Sequence, residues 1–207
     1  MKPPFKLEHN IKQYNFHESL RYLEHIGKLK YGATFKIHKS DIKVIYKLLV
    51  HSLRDKENCK KHGIDLDKGI LLNGPVGCGK TSLMTLCSYF TEVQNSYLIK
   101  TTRDIALEYN KDGFPVINKY GKTPKIYCFD DLGIENTVKH FGNECNTVAE
   151  ILLHRYELQI NQGIITHATT NLNAGELEKM YGSRVRSRLR SMFNLVTFDR
   201  DVGDKRK

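Results

Sequence analysis

The run Gly74-Pro75-Val76-Gly77-Cys78-Gly79-Lys80-Thr81 satisfies every fixed position of the phosphate-cradling pattern G-x-x-x-x-G-K-[ST]. Glycines let the backbone fold tightly, so that consecutive N–H groups converge on an anion. Lys80 then supplies a cation for the β- and γ-phosphates, and the Thr81 hydroxyl completes the shell of a Mg²⁺ ion. The candidate nucleotide-binding set is therefore Gly74, Pro75, Val76, Gly77, Cys78, Gly79, Lys80, Thr81 and Ser82. The chemistry this implies is binding of a nucleoside triphosphate with Mg²⁺.

Two further groups suit the same chemistry. Ile126-Tyr127-Cys128-Phe129-Asp130-Asp131 is an apolar run ending in two carboxylates, a Walker B arrangement. Asp130 is the candidate to orient Mg²⁺ through its water shell, and Asp131 the candidate to position or deprotonate an attacking water. A run ending Thr169-Thr170-Asn171 offers Asn171 as a sensor of the γ-phosphate or of that water. Beyond it, Arg184, Arg186, Arg188 and Arg190 alternate. On a helix this puts Arg184 and Arg188 on one face and Arg186 and Arg190 about half a circle away. One face could reach a neighbouring subunit's nucleotide as an arginine finger, the other DNA phosphates.

These residues need a frame that brings them to one edge. Gly69 to Asn73 reads as a buried strand and Thr81 to Phe90 as a helix whose N-terminus faces the phosphates. Ser96–Thr102, Lys125–Asp130 and Gly163–Asn171 read as further strands. Helices are expected over 103–110 and 146–162. Residues 111–124 read as a polar connection punctuated by Gly and Pro. Alternating strands and helices predict an α/β fold with a parallel sheet flanked by helices. Ligands of such sheets sit beyond the carboxyl ends of the strands, where both Walker acids fall. Before this core, residues 1–33 form an arm with one amphipathic helix from about His17 to Lys30. Ser40 is the expected N-cap of a second helix, and 56–61 its polar end.

The bulk properties exclude some classes. The 207 residues suffice for one α/β domain with a modest extension. No apolar run approaches the ~20 residues that span a bilayer, and Met1-Lys-Pro-Pro-Phe-Lys lacks the apolar centre of a secretory signal. The 5 cysteines are scattered, one within the glycine loop and one in an apolar strand, as suits reduced thiols in a cytoplasmic protein. Cys59-x-x-His62 has the form of half a zinc site, but no second pair follows at ligand spacing. The net charge of +10, from 33 Lys and Arg against 23 Asp and Glu, favours a polyanionic partner such as nucleic acid.

Taken together, the glycine loop, Phe129-Asp-Asp-Leu-Gly-Ile-Glu135, Arg155-Tyr156-Glu157, the Thr-Thr-Asn tip and Gly182-Ser-Arg-Val-Arg-Ser-Arg-Leu189 resemble the AAA+ ATPases of the DnaC/DnaI helicase-loader and IstB transposition-helper group. The resemblance covers about residues 36 to 200. It implies a P-loop NTPase fold, an AAA+ core (34–200) without a C-terminal lid domain, followed by a basic tail at 201–207. It further implies ATP as the nucleotide, Asp131 as the catalytic Walker B acid, Asn171 as first sensor, Arg188 as arginine finger and Arg184 as a second trans-acting residue. The implied partners are DNA, single-stranded and contacted without base readout, a replicative helicase or transposase, and further copies of this chain joined by ATP. Candidate DNA contacts are Arg103, Lys119, Lys122, Arg186 and Arg190. Two other readings of the same residues stay open, a small-molecule or nucleotide kinase and a nucleotide-gated interaction protein with little turnover.

Overall fold

Five short runs rich in apolar residues pair side by side, all parallel, into one sheet: β3 (Gly69–Asn73), β4 (Tyr97–Thr101), β5 (Ile126–Leu132), β8 (His167–Thr170) and β9 (Phe193–Thr197), in the order β4-β5-β8-β3-β9. The computed structural model describes residues 4–9, 11–135, 138–140, 143–199 and 202–205, with backbone alone for 138–140 and 143–144. Parallel strands require crossovers, and helices supply them. These are α4 (Lys80–Cys87), α5 (Thr102–Asp112), α6 (Pro115–Gly121), α7 (Thr147–Gln162) and α8 (Ala174–Met192). Residue alternation along each strand then divides the core. Leu71, Phe129 and Ala168 face the layer of α5 to α8, whereas Ile70, Leu72, Cys128 and Val196 face α4.

The second layer is completed from the N-terminal side. α1 (Phe16–Tyr31) and α2 (Ile42–Ser52) pack on α4, and Leu23, Ile45 and Leu48 are buried in the same cluster. Ahead of them β1 (Phe5–Glu8) and β2 (Ile11–Tyr14) form an antiparallel hairpin. A second hairpin, β6 (Val138–His140) with β7 (Asn143–Cys145), lies between β5 and α7. Among the described residues no helix is long and apolar enough to cross a membrane.

Several expectations are corrected. The connection 111–124 contains α6, which buries Val116, Ile117 and Tyr120 against the core. Pro115 stands in its first turn, where the missing N–H costs nothing. Residues 56–61 are a separate helix, α3, capped by the Asp55 carboxylate accepting from the Asn58 N–H. α2 does not start on a Ser40 cap; a single tight turn at 39–41 precedes it, closed by Asp41 accepting from the His38 N–H. The arginine run ends in a fifth strand, β9. Cys59, in the half-zinc motif, is buried with its thiol donating to the Val50 carbonyl, and the His62 ring meets Tyr46 edge-on.

Arg155 lies fully buried at the far end of the sheet. Its guanidinium donates to the Thr166 hydroxyl and to the carbonyls of Thr123 and Ile165, and stacks on Tyr127. Desolvation pushes its pKa down to about 10. The residue ties α7 to the segments entering β5 and β8, a structural duty. Nearby, His167 Nδ1 accepts the Ile70 N–H at 3.1 Å, and the His51 ring packs against the His167 ring. Burial and His51 hold His167 well below the ordinary imidazole range, and burial lowers His51 as well.

The folded state thus refuses protons that the unfolded chain accepts. This contribution is fully present above the unfolded value of about 6.5 and is lost as pH falls below it. The urea midpoint should drop between about pH 7.5 and 5.5, and His167→Asn, which retains an acceptor for the Ile70 N–H, should flatten that dependence.

Candidate active site

The glycine loop leaves β3 at its carboxyl end and enters α4. Gly77 and Gly79 adopt φ of 81° and 96°, values that side chains disfavour, and Gly79 is the left-handed cap of α4. The helix therefore opens with its free N–H groups and the positive end of its dipole at the loop. Lys80 is buried within the loop, its ammonium donating to the carbonyls of Gly74 and Pro75 at 2.9 and 3.0 Å. Thr81 donates toward both Asp130 carboxylate oxygens, at 3.0 and 2.8 Å.

β5 and β8 are adjacent strands, and their register breaks between Phe129 and Leu132. At this bulge Asp131 takes a φ of 58°. Its N–H donates to the Thr169 hydroxyl and its carbonyl accepts from the Thr102 hydroxyl, both at 2.8 Å. Thr169 in turn donates to Asp130 at 2.7 Å. Asp130 stays buried behind Thr81 while the Asp131 side chain turns into the cleft. Burial, with the neighbouring Asp130 charge, raises the Asp131 pKa, against the pull of Lys80. A carboxylate raised in this way is a better proton acceptor.

A cleft of about 320 Å³ is lined by Val76, Gly77, Gly79, Lys80, Thr81, Ser82, Asp131, Ile134 and Asn171. Most of the sequence-derived candidates therefore meet in one place. Asn171 is exposed just past β8, and the cap of α8 is Asn173 instead, with Glu176 closing a reciprocal capping box. Arg184 and Arg188 are not among the lining residues of the cleft. α8 breaks at Gly182, φ 85°, and its second half carries the arginines. Arg184 is exposed, and the Arg188 guanidinium lies 4.4 Å over the Tyr156 ring of α7.

Thr169 was absent from the expected roles, and so were residues that hold the loop after β5. Tyr181 donates to buried Glu135, whose other oxygen accepts the Gly133 N–H at 3.0 Å. Burial and the Glu135 charge push the tyrosine pKa well up, keeping it a donor. Together with Asn146, which donates to the Met180 carbonyl, this pins the loop after Walker B to the hinge of the arginine helix.

The candidate DNA contacts do not form one patch. Arg103 opens α5 at the carboxyl edge of the sheet, whereas Lys122 precedes β5 at the opposite edge. Lys119 is ion-paired with Glu108, and Arg186 with Glu178. Arg103, Lys122 and Arg190 are exposed.

The strand order, the loop after β3 and the acids near the end of β5 define an α/β fold of the AAA+ P-loop NTPase type. Neither a family model nor a curated protein sequence matches the chain. Solved structures do. The DnaC helicase loader aligns at TM-score 0.56 and 19% identity, over 81% of this chain and 94% of that one. DnaI aligns at 0.53 and 20%, over 81% and 89%. The replication initiator DnaA bound to AMPPCP and single-stranded DNA aligns at 0.54 and 20%, over 82% of this chain but 49% of its own. At such identities the likeness establishes the fold.

Thr169→Val should leave the Asp131 N–H without its acceptor and remove one of the two donors to an Asp130 oxygen, Thr81 remaining as the other. The expected cost is about 1–3 kcal/mol of stability, measured by urea unfolding.

Proposed function

We propose that this chain binds and hydrolyses Mg-ATP as an AAA+ protein acting on DNA, a loader or helper for a replicative helicase or transposase. The observation that carries the reading is the meeting of Lys80, Thr81, Asp131 and Asn171 on one cleft, with Asp130 buried directly behind Thr81. The residues fit the group they would hold. Positive-φ glycines allow the tight loop that an anion site needs, Lys80 offers its cation, and Thr81 with Asp130 offers hard oxygen donors of the kind Mg²⁺ takes. When bound, Mg²⁺ neutralises charge on the phosphates. Asp131 accepts the proton of a water, and Asn171 orients that water or the terminal phosphate.

Arg184 and Arg188 lie off their own cleft, so they serve a neighbouring copy. Stacking on Tyr156 restricts Arg188 to few conformations, which lowers the entropy lost when it docks. Binding of ATP then joins subunits and hydrolysis releases them. The DnaA likeness with single-stranded DNA, and the net charge of +10, support a DNA partner held through phosphates.

The test is phosphate release against protein concentration, with and without single-stranded and duplex DNA. The rate per subunit should rise with both. Lys80→Ala should abolish nucleotide binding. Asp131→Asn should bind ATP yet turn over about a hundredfold or more slowly. Arg188→Ala should lose about a thousandfold in turnover and the concentration dependence with it. Transfer of the phosphoryl group to a small acceptor, or binding without release, would replace this reading by a kinase or a nucleotide-gated binder.

A further inference from the structure

Beside the phosphate cleft lies a second cavity of about 1010 Å³ that shares Gly77, Gly79 and Ser82 with it. One wall is the segment after α1, with Phe35, His38 and Asp41; the opposite wall is the C-terminal segment 202–205. That segment grips the glycine loop from behind. The Lys205 N–H donates to the Gly77 carbonyl at 3.1 Å, and its ammonium donates to the Cys78 carbonyl at 2.7 Å. The same ammonium is ion-paired with Asp41, itself 3% exposed, and lies 5.1 Å over the Phe198 ring. A β-carbon on Gly77 would collide with the Asp204 carboxylate, so the segment is in close contact with the loop.

The side of the loop that is gripped matters. A peptide plane has two polar ends, so a carbonyl fixed on one side turns its N–H to the other. Lys205 takes the carbonyls of Gly77 and Cys78, and this fixes the peptide planes whose N–H groups belong to Cys78 and Gly79. The Cys78 N–H is turned back to the Pro75 carbonyl at 3.4 Å, which closes the loop, and the Gly79 N–H is the donor set toward a phosphate. Two of the three ammonium protons go to Asp41 and to the Cys78 carbonyl, which holds the side chain against the loop.

We propose that residues 202–205 are a nucleotide-coupled strap: through Lys205, anchored on Asp41, they set the phosphate loop in its anion-binding conformation and wall the groove for the nucleoside part of the ligand. The inference rests on the nucleotide reading above and adds a positioning residue far from the loop in sequence. A pre-set loop loses less freedom on binding, so affinity depends on the strap. By linkage the dependence is reciprocal, and the nucleotide must tighten the strap to the same degree.

Calorimetric titration with MgADP tests it. Lys205→Met and Asp41→Asn, each shown to be folded at the titration temperature by circular dichroism, should raise Kd about tenfold, and Lys205→Arg should recover most of the affinity. Lys80→Ala, which leaves the strap in place, should lose binding outright. Wild-type affinity in Lys205→Met beside loss in Lys80→Ala overturns the strap and leaves the nucleotide reading intact. Absence of binding by the wild-type chain overturns both. Hydrogen exchange on the unmodified protein covers the case of an unstable variant. MgADP should slow exchange of the Lys205 amide, and an unchanged rate overturns the proposal.

Discussion

One buried hydroxyl sets the geometry of the candidate site. Thr169 Oγ1 sits between β8 and β5, accepting from the Asp131 backbone and donating to the Asp130 carboxylate. A hydroxyl can do both at once, which neither a thiol nor a methyl in its place would do as well. Its position forces the two acids apart. Asp130 is drawn down onto Thr81, and the chain then kinks so that Asp131 projects the other way. The separation of the two acids is thus built into a strand pairing, not left to side-chain choice.

From that point the constraint spreads outward through discrete contacts. Asp131 is bonded to Thr102 at the head of α5, and the loop beyond it is held through Glu135 to Tyr181. Tyr181 lies one residue before the break at Gly182, so the arginine segment begins at a hinge whose near side is fixed to the Walker B loop. On the far side, Arg188 rests on Tyr156. A displacement of the acids has a contiguous route to the surface arginines, through hydrogen bonds and one aromatic stack.

The sequence disclosed what is local in the chain. The glycine loop and the paired acids are read from spacing because each is made of residues adjacent in the chain, and contiguity is their signature. Strand–helix alternation likewise revealed four of the five sheet strands. What stayed hidden depends on distance or on weak local preference. Thr169 acts on residues 38 and 39 positions away, and Tyr181 on one 46 away. Helix α6 was masked by Gly113 and Pro115, although Pro115 marks a helix start and Val116, Ile117 and Tyr120 share its inner face. β9 is a five-residue edge strand directly after a basic helix, fixed by pairing with β3 and by Asn194 bonding the carbonyls of Asp65 and Gly69. Net charge and likeness named candidate DNA contacts without placing them, and the parallel topology sets Arg103 and Lys122 at opposite ends of the sheet.

The left-handed backbone at Asp131 has a consequence for how far this chain can drift in sequence. Among residues with a side chain, Asp and Asn tolerate that conformation best, and others incur about 1–2 kcal/mol. The bulge therefore favours a short side chain at position 131, with a reach of one methylene. A glutamate, one methylene longer, would carry that strain unless the strand pairing around it straightened. The length of the acid and the irregularity of the sheet are consequently coupled.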